Sequence, residues 1–113
     1  MHLEKWICRP IKNQLNYSGA HLNKAREMLL AKSPPEDVYC QLKALEGGIK
    51  KTIYTLLPDA LRQDLIIRIH RLLNTKPICP EQVETLKGIQ KELSTQDPKK
   101  LLRLGRELTK FEN

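Results

Sequence analysis

Three thiols, three imidazoles and a recurrent set of cations are the groups in this sequence whose types could do chemistry. The thiols are Cys8, Cys40 and Cys79, and the imidazoles are His2, His21 and His70. A zinc site needs three or four convergent ligands. None of these residues stands at ligand spacing from another, so no metal and no cofactor is expected. A thiol reacts when a neighbouring cation lowers its pKa and solvent reaches it, and Arg9 beside Cys8 is a hint of that kind. Cys40 reads first as a small buried hydrophobe, with a candidate reactive thiol as the alternative. Cys79 falls in a loop between Ile78 and Pro80. No nucleophile–base pair, paired-carboxylate motif or glycine-rich phosphate loop appears, so catalysis is not expected.

The cations carry a clearer pattern. Lys and Arg number 20 against 13 Asp and Glu, a formal charge of +7. That balance admits nucleic acid, an acidic protein or an anionic surface as partner. Lys99, Arg103, Arg106 and Lys110 recur at steps of four, three and four, while Leu101, Leu104, Leu108 and Phe111 mark the other side of the same segment. On a helix this spacing makes a cationic ridge opposite an apolar stripe. Such a ridge suits phosphates, and an ordinary solvated face is the bland alternative. Lys43 and Lys50 share a face of an earlier segment with Lys51 adjacent, and Arg62, Arg68 and Arg71 follow.

The elements that position these groups read as helices. Leu15, Ser18, Leu22, Ala25 and Leu29 mark a first helix from residue 11 or 12 to Lys32. Pro34-Pro35 ends it, and Ser33 is the expected N-cap of the next. Val38, Leu42, Leu45, Ile49, Ile53 and Leu56 form the stripe of the second helix. Gly47-Gly48 interrupts it, which a close helix–helix approach explains, and Pro58 either kinks the helix or starts another that runs to about Leu73. Pro80 opens a further helix with Val83, Leu86, Ile89, Gln90 and Leu93 inward, and residues 98–111 form the last. Five Gly and 4% aromatics argue against a β-sandwich or barrel. The expected fold class is all-α, one domain over residues 1–113. No run approaches the roughly 20 apolar residues of a membrane span, so no membrane partner is expected. The wide spacing of three cysteines and the lack of an apolar leader point to a reducing, cytoplasmic setting.

The run over residues 28–65, MLLAKSPPEDVYCQLKALEGGIKKTIYTLLPDALRQDL, resembles the core of the copper-sensitive operon repressor family, which includes nickel/cobalt- and formaldehyde-responsive repressors. Met28, Gln41-Leu42, Ala44, Leu56-Leu57 and Leu61-Arg62 stand at the family's spacings without a gap, and residues 80–93 look like its third helix. The likeness covers roughly residues 12–95, leaving 97–113 as an additional amphipathic helix. It implies an antiparallel helical hairpin that dimerises into a four-helix bundle, commonly a tetramer, and represses transcription by binding double-stranded DNA.

Two departures limit what is carried over. The family's copper ligands, a Cys followed later by a His and a Cys, fall on Pro35, Ala60 and Asp64. Pro and Ala ligate nothing, so copper sensing is not expected. The family's arginine-bearing first-helix motif falls on residues 16–25, where Lys24 is the only basic residue. The expectation is therefore a regulator that has lost the copper site and contacts DNA through Lys43, Lys50, Lys51 and the ridge Lys99, Arg103, Arg106 and Lys110. The alternative is an assembly module on the same fold that grips an acidic protein.

Overall fold

A computed structural model describes residues 5–75 and 79–112, and these are helical with no strand among them. The helices are α1 (Lys5–Leu30), α2 (Pro35–Lys51), α3 (Leu57–Thr75), α4 (Pro80–Glu92) and α5 (Pro98–Glu112). A π turn, Thr52–Leu56, joins α2 to α3 with helical dihedrals on both sides, so the three run on as one helix.

The π turn answers the question posed by Pro58. A proline has no N–H, and its ring collides with the carbonyl four residues earlier. Widening the preceding turn relieves that collision: the Leu57 N–H reaches back five residues to the Thr52 carbonyl. Pro58 itself is buried. The helix is neither broken nor restarted there.

α1 begins at Lys5 and passes through Pro10, earlier than the expected start at 11 or 12. The proline's fixed φ suits a helix, so the chain continues with one ladder bond missing. At the other end Lys32 adopts a left-handed φ of 54°. Ser33 N–H donates to the Met28 carbonyl at 2.9 Å and Lys32 N–H to that of Leu29 at 3.3 Å. This is the Schellman closure, which satisfies the last carbonyls of α1. Ser33 thus belongs to the closure of α1, and α2 begins two residues later at Pro35. The N-cap of α2 is Pro34, with no side-chain cap bond, which corrects the expected role of Ser33. Glu36 and Asp37 in the first turn of α2, and Lys50 and Lys51 in its last, complement the helix dipole.

α1 and α2 pack as a hairpin whose seam is thin. Ser18, Ala25, Val38 and Gly48 are its buried members. Gly48 allows the close approach: a Cβ there would meet the Ser18 hydroxyl and lie 2.8 Å from Gln14 Nε2. Gly47 faces open space, so only the second glycine has a packing reason.

The larger core lies at the other end of the molecule. Leu61, Leu65, Ile69 and Leu72 of α3 meet Leu86 and Ile89 of α4, Leu93 just beyond it, and Leu101, Leu104 and Leu108 of α5. Two arginines staple this three-helix bundle. Arg62 Nε donates to the Leu93 carbonyl at 2.6 Å and Nη2 to that of Thr95 at 2.7 Å, serving carbonyls that the end of α4 leaves unpaired. Arg68 ties α3 to α5 through the Gly105 carbonyl at 3.0 Å and the Glu112 carboxylate, with Asp64 at 3.4 Å. Glu112 is the leading cause that holds the Arg68 guanidinium above its ordinary pKa. Asp97 caps α5 by accepting from Lys99 N–H at 3.0 Å, with Pro98 at the first helical position.

Candidate nucleic-acid interface and the uncovered hairpin face

The last helix places its side chains as its spacing predicts. Leu101, Leu104 and Leu108 are buried against α3, and Phe111 packs at the margin of the core. Lys99, Arg103, Arg106 and Lys110 are all exposed. The eleven helical steps from Lys99 to Lys110, at 1.5 Å each, give a ridge of about 16 Å. Arg103 is shared loosely between Glu92 at 3.8 Å and Glu107 at 3.9 Å. Exposed pairs of that length are worth little and yield readily to a phosphate. Lys100, beside the ridge, lines with Arg103, Ser94 and Thr95 a polar notch of about 220 Å³ at the α4–α5 corner. Sequence reasoning passed over Lys100 because it lies off the four-three-four step.

The α2 cations are less available. Lys43 Nζ donates to Glu46 at 2.7 Å, and Lys50 lies 3.9 Å from the same carboxylate. The Lys43 hydrogen bond, then the two positive charges, hold the Glu46 carboxyl below its ordinary range. Lys51 is exposed at the end of α2. These three belong to the hairpin, whereas the α5 ridge belongs to the C-terminal bundle, so two separate cationic strips result.

The three positions that the sequence resemblance set against copper ligands have packing roles. Pro35 opens α2, Ala60 is buried, and Asp64 is buried against Arg68. Among the described residues no three of His, Cys, Asp and Glu come together as a metal cluster. Cys40 is exposed rather than a buried hydrophobe. It follows Tyr39 on the outward side of α2, whereas Gln41 one residue on turns toward α1. Cys79 is exposed as the N-cap residue of α4, and Cys8 is half-buried. His2 lies outside the described residues, and His70 is exposed.

His21 was not singled out by spacing, yet it sits at the hairpin seam. Its Nδ1 pairs with Gln41 Oε1 at 2.7 Å, and Tyr17 stands edge-on to its ring at 4.5 Å. Its Nε2 and the Ser18 hydroxyl are buried without a hydrogen-bond partner. Unpaired buried polar groups cost free energy, so the seam by itself is a weak adhesive.

The apolar stripes of α1 and α2 are only half used. Leu15, Leu22 and Leu29 recur at steps of seven on α1 and remain exposed, Leu29 by 65%. Leu42 and Ile49 of α2, seven apart, and Ile53 of the π turn four residues on are exposed as well. Both rows lie on the same side of the antiparallel pair, because each follows its seam residues by the same sense of helical rotation. The hairpin thus has an apolar face that the described residues leave uncovered. No helix among the described residues is long and apolar enough to cross a membrane.

No protein-family profile matches this chain, and no curated protein or solved structure does.

Proposed function

We propose that this protein is a DNA-binding regulator of the copper-sensitive repressor type that has lost the copper site, and that it works as a dimer or tetramer. The observation that carries DNA binding is the α5 ridge: four outward cations on a helix anchored by three buried leucines. Phosphate contacts need positioned charge more than a shaped pocket. Pairing through the apolar hairpin face repeats the ridge and doubles a charge of +7. Two copies closing Leu15, Leu22, Leu29, Leu42, Ile49 and Ile53 against each other complete a four-helix bundle.

Binding to duplex DNA from upstream of its own gene, against a scrambled duplex across a salt series, tests the reading. Sequence-selective binding with a steep negative salt slope is expected. Charge reversal of Arg103 and Arg106 together flattens the slope by about two for each chain on the duplex, near 0.9 per lost phosphate contact. Affinity and slope unchanged by that double variant remove α5 from the mechanism.

A second reading, a module that grips an acidic protein, draws on the pairing of Lys43 and Lys50 with Glu46. It also draws on the thin basic content of residues 16–25. Weak duplex binding that ignores sequence favours this second reading.

A further inference from the structure

Between α3 and α5 a groove of about 200 Å³ opens to solvent. Leu61 and Leu65 line it from α3, and Leu101 and Leu102 from α5. Arg68 and Arg106 line it too. The two helices pass the groove in the same direction, since Leu65 lies against Gly105 and Arg68 reaches Gly105, Thr109 and Glu112. The leucines therefore come first, and the guanidiniums follow about a turn further on. Leu102 is 43% exposed although it forms part of an otherwise buried apolar wall.

The two guanidiniums are not equivalent. Arg68 is already matched by Asp64 and Glu112. Arg106 has no ion pair among the described residues, so its charge is available. An apolar wall ending at one uncompensated cation is complementary to a tail that ends in one negative charge. Pockets for drug-sized ligands start near 300 Å³, so this smaller groove suits a short acyl chain or a single ring.

We propose that the α3–α5 groove binds a small amphipathic carboxylate, its tail on Leu61, Leu65, Leu101 and Leu102 and its carboxylate on Arg106. Arg106 is also part of the cationic ridge, so an occupied groove withdraws one cation per chain from DNA. That second step rests on the DNA-binding reading, whereas the groove itself does not.

Titration of the full chain with octanoate, followed by backbone amide shifts, tests the groove, with octanol and acetate as controls. Saturable shifts confined to the groove-lining stretches of α3 and α5 are expected. Octanol binds about tenfold more weakly, because a charge-assisted hydrogen bond is lost, and acetate binds without saturation. Arg106→Gln reproduces that loss with octanoate, and Leu102→Glu abolishes binding; both sites are exposed, so the variants stay folded. No saturable binding, shifts centred on the hairpin face, or affinity unmoved by both variants overturns the proposal. Octanoate should also weaken duplex binding of the wild type and not of Arg106→Gln. Groove binding with unchanged DNA affinity overturns the coupling alone. Absence of any DNA binding overturns the DNA reading, while the shift titration still decides the groove.

Discussion

Lys32 stands where a glycine would serve better. Its φ of 54° closes the Schellman motif at the end of α1, and a Cβ makes that conformation costly. Lys32→Gly should raise stability by about 0.5–1 kcal/mol, seen as a higher Tm; an unchanged or lower Tm would show that the closure does not set the end of α1. Glu46 gives a second check at this scale. Its pKa is depressed by Lys43 and Lys50, so the interaction is present above the ordinary carboxylate range and is lost as pH falls through the lowered value. In a carboxyl-detected titration, Lys43→Ala with Lys50→Ala should return Glu46 to the ordinary range. Some residue roles were legible in advance and others were not. The outward ridge of α5 followed from spacing. The exposure of Cys40 did not, because a cysteine beside a helical stripe reads as core until the helix's rotation is known. The His21–Gln41 pair was hidden because its partners are 20 residues apart and joined only by the hairpin.

Element boundaries show where local rules compete. α5 starts as read and runs one residue further, to Glu112, because Asp97-Pro98 is a strong start signal and its leucines have one face to fill. Asp97→Ala should cost about 1 kcal/mol by freeing the first turn of α5, measurable by denaturant unfolding; no loss would mean that packing on α3 alone defines that end. Pro58 was ambiguous from sequence, since a kink and a fresh helix start use the same residue. A π turn is a third answer, in which the preceding turn widens to take the proline ring while the helix runs on. Ser33 was misread for a related reason: a serine before Pro-Pro looks like a cap, but α2 starts at the second proline, which puts Pro34 at the cap position.

The whole molecule is 66 × 22 × 16 Å with a radius of gyration of 19.5 Å. A compact domain of this length has about 13 Å. The excess comes from placing a two-helix hairpin end to end with a three-helix bundle along one continuous helix. Periodicity assigned Leu15, Leu22 and Leu29 to the same face as Ser18 and Ala25, correctly in rotation. It could not tell that the described residues cover only half of so wide a face. That half-covered face, and the two orphaned polar atoms in its seam, are the observations on which the proposal of self-association rests. The most direct test is the solution mass by light scattering at tens of micromolar. Pairing predicts about 26 kDa or a multiple, twice the 13.1 kDa chain. Leu22→Glu with Ile49→Glu should return the particle to one chain with its helix content kept. A wild-type protein that stays at 13.1 kDa with those leucines in water would contradict the account.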